Sequence, residues 1–186
     1  MGQNTGMALP REQVAAALTS RPAGIVIVTG VSGSGKTTVG RALAARLGWR
    51  FCDADDLHSA ANVERIQRNV PLGDDDRAPW LNRVRDVIEQ ARAQRAGTVI
   101  ACSALKERYR RALADGIEGI RFIFLTGDPE LLRTRLEHRE GHFAGPGLLD
   151  SQLDELEPPR DALTLDVSQP VEALVERILA DIRPVA

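Results

Sequence analysis

The 186-residue sequence predicts an α/β fold, a parallel sheet layered between helices on both faces, and three observations carry the prediction. Short apolar runs alternate with stretches whose apolar residues recur every three or four positions. The runs lack the polar alternation of a sheet that faces water, as strands covered on both sides do. A glycine-rich turn joins the first run to the first helical stripe, the connection from which three-layer α/β/α domains are built.

Residues 1–22 read as an N-terminal extension, partly disordered, and residues 23–186 as a single domain. The first nine residues are polar and small; a short helix after Pro10, with Val14 and Leu18 one turn apart, is broken at Arg21-Pro22-Ala23-Gly24. The strand candidates are IVIVT over Ile25–Thr29, TVIA over Thr98–Ala101, RFIFL over 121–125 and ALTLDV over 162–167; WRFC over 49–52 supplies a fifth. Helical stripes are written by Val39, Leu43 and Leu47, then by Trp80, Val84, Val87, Ile88 and Ala91. Leu105, Tyr109, Ala112 and Leu113 form a third, and Val171, Leu174, Val175, Ile178 and Ile182 a last one. Asp128-Pro129 and Ser168-Gln169-Pro170 mark helix starts, since proline is tolerated in the first turn where its missing N–H is no loss. The segments 53–79 and 139–159 break the alternation and are expected to be irregular, functional loops.

Composition excludes several classes. The formal net charge is -2, so no overall positive field holds a polyanion, and nucleic acid is a poor partner. All but two of the 24 basic side chains are arginines, which makes Lys36 and Lys106 conspicuous. Cys52 and Cys102 make neither a disulfide framework nor a zinc site, which suits the cytoplasm. No run reaches the roughly 18 apolar residues of a membrane span, so no membrane partner is expected.

Gly30-Val31-Ser32-Gly33-Ser34-Gly35-Lys36-Thr37 matches GxxxxGK[ST], with a strand before it and a helix after it. The glycines let successive backbone N–H groups wrap phosphate oxygens, and the helix start adds its positive dipole end. Gly30, Ser32, Gly33, Ser34, Gly35 and Thr38 are therefore nucleotide-binding candidates, Lys36 supplies charge to the β and γ phosphates, and Thr37 can ligate Mg²⁺. A plain glycine-rich connection is the bland alternative. The chain has no NKxD motif for guanine, and the strand TVIACS ends without a carboxylate. The nearest acids are Asp53, Asp55 and Asp56, where the carboxyl end of a second strand would meet the phosphate loop. That arrangement belongs to a kinase of small molecules.

With these features in view, the chain resembles the gluconokinases, relatives of shikimate kinase and adenylate kinase, over about residues 25–182. The resemblance rests on Asp53-Ala54-Asp55-Asp56-Leu57-His58, on Pro71-Leu72-Gly73-Asp74-Asp75-Asp76-Arg77-Ala78-Pro79-Trp80-Leu81, and on Cys102-Ser103-Ala104-Leu105-Lys106. Gly141-His142-Phe143 and Leu148-Leu149-Asp150-Ser151-Gln152 complete it. Members usually carry DGD where this chain has Asp53-Ala54-Asp55. The resemblance implies a P-loop NTPase fold of the nucleoside monophosphate kinase style, with a five-stranded parallel sheet, an acceptor segment at about 55–85 and a mobile lid at about 139–155. It further implies transfer of phosphate from ATP, with Mg²⁺, to the 6-hydroxyl of D-gluconate, and a homodimer. A kinase of another small hydroxy acid such as shikimate, or a non-catalytic nucleotide sensor, are the alternatives.

By the same resemblance Asp55 orients the attacking hydroxyl, against the plainer role of a helix-capping acid, and Asp53 holds Mg²⁺ through water. Arg135 and Arg139, four apart on one helix face, lie against adenine and phosphates with Arg139 closing over the transferring group; the alternative is a solvated face with Glu137 and Glu140. An open-chain polyhydroxy acid requires a cation and many hydrogen-bonding groups, for which Asp55, His58, Arg77, Arg83, His142 and Gln152 are candidates. Arg77 suits the carboxylate because a guanidinium fork matches it, while Asp74 or Asp75 caps the helix; a surface ion pair is its plainer role. Trp80 and Tyr109 read as core.

Overall fold

The computed structural model describes residues 24–138 and 146–182. Five parallel strands form one sheet: β1 (Ile25–Thr29), β2 (Arg50–Asp53), β3 (Thr98–Ala101), β4 (Ile120–Thr126) and β5 (Leu163–Asp166). Their order is β2-β3-β1-β4-β5. The helices are α1 (Lys36–Leu47), α2 (Ala60–Gln67), α3 (Asp74–Ala93), α4 (Glu107–Ala114), α5 (Pro129–Glu137), α6 (Pro146–Glu155) and α7 (Val171–Ile182), with a 3-10 turn at Ala54–Leu57.

Alternate residues of β1 feed opposite layers, as the absence of polar alternation requires. Val26 and Val28 join a core with Val39 and Leu43 of α1 and Leu174, Val175 and Ile178 of α7. Ile25 and Ile27 join another with Trp80, Val84 and Ile88 of α3 and Tyr109 and Leu113 of α4. The sheet is thereby covered on both faces, and its strands begin and end close to the expected positions.

The chain leaves β1 toward β2 on one side and leaves β3 toward β4 on the other. The loops after β1 and β3 therefore diverge and open a crevice at the carboxyl end of the sheet. Thr29 ties the two loops together by donating its hydroxyl to the Ser103 carbonyl at 2.9 Å.

Three expectations need correction. The segments 53–79 and 139–159 are not wholly irregular, because α2 lies in the first and α6 in the second. Leu105 precedes α4 rather than belonging to it, although it is buried. The start of α3 is closed by Asp76, not by Asp74 or Asp75: its carboxylate accepts from the Gly73 N–H at 2.8 Å. Among the described residues, no helix is long and apolar enough to cross a membrane.

Candidate active site

The glycine-rich loop takes the conformation its sequence demands. Gly30, Gly33 and Gly35 have φ of 147°, 79° and 82°, a region that side chains disfavour. A Cβ on Gly33 would stand 2.7 Å from the Leu132 carbonyl oxygen, whereas one on Gly35 would meet nothing within 4 Å. Gly35 precedes α1 without any side-chain cap, and the first turn of α1 carries no acid. The uncapped amides and the positive end of the helix dipole are thus left for an anion, which is what a phosphate tail requires.

Lys36 donates from Nζ to the Val31 carbonyl at 3.0 Å, which folds its ammonium back over the loop. Thr37 donates its hydroxyl to Asp53 Oδ2 at 2.7 Å, so strand β2 delivers a carboxylate to the first turn of α1 as expected. Two hard oxygens side by side at a phosphate cradle fit Mg²⁺. Among the described residues no three His, Cys, Asp or Glu side chains gather around a metal position, so phosphate and water would supply the remaining ligands.

Asp53 also accepts from the Asp55 N–H at 3.2 Å, starting the 3-10 turn that carries Asp55 to the cavity. Asp53 is therefore the capping acid, and Asp55 is not. The methyl of Ala54 is wholly buried, and the Ala54 carbonyl accepts from Trp80 Nε1 at 2.6 Å, which pins this turn to α3.

One cavity runs from the loop to these elements. Its wall includes Ser32, Gly33, Gly35, Lys36 and Thr37 of the loop, Asp55, His58, Arg77 and Trp80 of the β2 turn and α3, and also Ser103, Leu148 and Gln152. His58 lies flat on Trp80, with ring centroids 4.7 Å apart and planes within 9°. Burial, followed by the nearby charges of Arg77 and Arg83, pushes the His58 pKa down to about 4, so the ring is neutral near pH 7. Its Nδ1 is buried without a hydrogen-bond partner, an acceptor or donor aimed at nothing in the protein. Trp80 is both core, as expected, and part of the cavity wall.

Arg77 donates from Nη1 to Glu155 Oε2 at 2.7 Å and to the Tyr109 hydroxyl at 3.2 Å. Burial works against its charge, but these two partners outweigh it and hold the pKa above the ordinary arginine value. Arg83 donates to the Leu57 carbonyl at 2.8 Å and is not part of the cavity wall. Gln152 accepts from the Ser32 N–H at 2.6 Å, so an amide oxygen of α6 lies on one donor of the cradle.

A second cavity lies on the other side of the loop, walled by Gly33, Ser34, Gly35, Thr38, Val39, Arg135, Val167, Gln169, Val171 and Leu174. Arg135 is fixed there by donating to the Val167 carbonyl at 2.8 Å. Arg139 and His142 lie outside the described residues. Sequence reasoning missed Lys106, Glu155 and Ser103 as neighbours of the acceptor end. The scarcity of lysine marked the first, and the motif that carried the resemblance contained Ser103 as well. Nothing local marked Glu155.

Comparison with known proteins gives this geometry a family. Residues 32–181 match the family model described as shikimate kinase. A probable gluconokinase of Dictyostelium discoideum is 42% identical over 167 residues, covering 83% of this chain and 84% of that protein. The gluconokinase of Gluconobacter oxydans (strain 621H) is 46% identical over 136 residues, covering 73% of this chain and 76% of that one. The crystal structure of a gluconokinase from Sinorhizobium meliloti 1021 matches with a TM-score of 0.77 at 40% identity, over 87% of this chain and 93% of that chain. A phosphate loop, an acid on the adjacent strand and relatives of this kind together establish that the chain is a kinase belonging to the shikimate kinase family, and within it to the gluconokinases.

Proposed function

We propose that this chain transfers the γ-phosphoryl group of ATP to the 6-hydroxyl of D-gluconate, giving 6-phospho-D-gluconate and ADP. The observation that carries the reading is the continuity of the first cavity, from the cradle to a wall with one half-buried arginine and a neutral histidine, in a chain akin to gluconokinases. Residues 23–186 act as one kinase domain in this reading, in the cytoplasm where ATP is abundant.

The triphosphate lies in the loop, with its base toward the second cavity, where Thr38 and Arg135 border it. Binding replaces the Gln152 oxygen on the Ser32 N–H by a phosphate oxygen, an exchange of one acceptor for a charged and stronger one. Lys36 turns from the Val31 carbonyl to the bridging and terminal oxygens, where negative charge grows as the bond to the leaving phosphate breaks. Thr37 and, through water, Asp53 would hold Mg²⁺, which would supply positive charge to the phosphate tail. Asp55 accepts the hydrogen bond of the acceptor hydroxyl and sets it in line; the new O–P bond forms as the γ phosphorus leaves the ADP oxygen, and the hydroxyl proton passes to Asp55 or to water. Arg77 takes the carboxylate, and His58 Nδ1 takes a hydroxyl. Arg139 and His142 complete the set by resemblance, Arg139 as the group that excludes water from the transfer, while Arg83, held on the Leu57 carbonyl outside the cavity wall, is left out of it.

A coupled assay of ADP production, run with gluconate, shikimate, other sugar acids and the neutral polyol sorbitol, tests the reading. Turnover confined to gluconate is expected. Turnover with shikimate and none with gluconate would reassign the acceptor, and none with any acid would leave a nucleotide sensor.

A further inference from the structure

The acceptor end of the cavity contains a device that the reaction scheme does not use. Both hydrogen bonds of the Arg77 guanidinium leave through one nitrogen, Nη1, toward Glu155 Oε2 and the Tyr109 hydroxyl. Among the described residues Arg77 has no other side-chain hydrogen bond, although only 14% of its side chain is exposed. Among the described residues its Nε–Nη2 edge, one of the two forks that match a carboxylate, therefore makes no hydrogen bond.

Glu155 is itself held in place. Lys106 Nζ stands 3.5 Å from Glu155 Oε1 and 3.6 Å from Asp74 Oδ1, and Asp74 also accepts from the Tyr109 hydroxyl and pairs with Arg108 at 2.5 Å. Glu155 is the last residue of α6, three positions after Gln152, so one face of that helix reaches both the cradle and Arg77. Arg77 is thus gripped by groups from α4 and α6 while it stands on α3. The Lys106 charge offsets that of Glu155, so the carboxylate can orient the guanidinium without opposing an incoming anion.

We propose that Glu155 is a positioning residue for acceptor recognition: by clamping Nη1 it presents the Nε–Nη2 edge of Arg77 to the carboxylate of a polyhydroxy monocarboxylic acid. The inference rests on the reading of Arg77 given above. Without the clamp, Arg77 must order its own long side chain when the acid binds, and affinity falls by that cost.

The test is steady-state kinetics with gluconate and ATP, with calorimetric titration of gluconate, on Glu155→Ala, Glu155→Asp, Glu155→Gln and Arg77→Ala. Loss of a hydrogen bond to a charged group predicts that Glu155→Ala raises KM for gluconate about tenfold, with kcat and the KM for ATP held within about twofold. Glu155→Asp keeps the charge and the helix but stops a methylene short of Nη1, and it is expected to raise KM similarly. Glu155→Gln keeps an acceptor oxygen for Nη1 and is expected to restore KM to within about threefold of the parent.

An unchanged KM in the alanine and aspartate variants overturns the proposal. A lowered KM overturns it too, because Glu155 would then be an internal competitor of the acid. Arg77→Ala separates the two claims. If it leaves the KM for gluconate unaltered, the reading of Arg77 itself fails, whereas a large rise beside silent Glu155 variants removes Glu155 alone.

Discussion

The two ends of the cavity are built on different principles. At the cradle, eight consecutive residues bend one stretch of backbone into a helix start with no side-chain cap, and the side chains of Lys36 and Thr37 stand on that start. At the acceptor end the backbone contributes almost nothing. Side chains from the β2 turn, α3, the β3 loop and α6 converge there, and three are held by neighbours: Trp80 by the Ala54 carbonyl, His58 by stacking on Trp80, and Arg77 by Glu155 and Tyr109. A site made of main chain is fixed by local conformation and tolerates little variation, while one made of side chains can be retuned a residue at a time. One fold can in this way keep its phosphoryl donor and change its acceptor.

The sharpest way to break that contrast is Lys36→Ala. In the proposed reaction the charge it removes acts where negative charge develops, and the fold loses its hydrogen bond to the Val31 carbonyl, so kcat should fall about 10²–10³-fold or more while the thermal unfolding midpoint drops by only a few degrees. An activity within tenfold of the parent would mean that the main chain alone stabilises the transferring group. Gly33→Ala probes the conformation itself. A side chain there combines a positive φ with a 2.7 Å approach to the Leu132 carbonyl oxygen, and should cost about 3 kcal/mol in chemical denaturation. Gly35→Ala, at similar φ but with open space, should cost clearly less; equal losses would assign the effect to φ alone.

Arg77→Ala addresses the other end. It should raise KM for the acid about 10–100-fold, the range for hydrogen bonds to a charged group, with a smaller change in kcat. Equal losses in both parameters would show that the arginine acts in the transition state rather than in acceptor binding.

The same contrast explains what could be read from the chain alone. The cradle, β1 and α1 are contiguous, so their chemistry is spelled in order, and the strands announce themselves by runs that feed two cores. The Asp128-Pro129 start of α5 was equally plain, and the Asp128 carboxylate does accept from the Glu130 N–H at 2.8 Å. Helix α2 was hidden because it is short and polar, and the residue it buries most is Asn62, whose amide donates to the Asp76 carbonyl. Helix α6 was hidden behind Gly145-Pro146-Gly147, although Leu148, Leu149 and Leu153 do write a stripe and proline at the first position is a start signal.

The site's second half required topology. Gln152 meets Ser32 across 120 residues and Glu155 meets Arg77 across 78, and no local pattern encodes either distance. The resemblance supplied His58, Arg77 and Gln152 as members of one site, but it could not say which groups hold them.

The smallest expected effect concerns His58 and asks whether the acceptor end alone carries a group sensitive to pH. The ring's pKa in the folded chain is about 4, against an ordinary value of 6.5, so between those values the unfolded chain binds a proton that the folded chain refuses. Stability contributed by the neutral ring is complete above pH 6.5 and is lost progressively as pH falls toward 4, below which the slope vanishes. Denaturation curves at pH 7 and pH 4.5 should therefore converge for His58→Gln relative to the parent, in which the stability difference between the two pH values is larger. The ring resonances of His58 should titrate near pH 4 in the parent, and KM for the acid should show no step between pH 6 and 8. A ring that titrates near 6.5 would mean that the stack on Trp80 is open to water. Below that pH Nδ1 could then serve a substrate hydroxyl only as a donor, since a charged ring donates from both nitrogens and accepts from neither, and KM for the acid would acquire a step near pH 6.5.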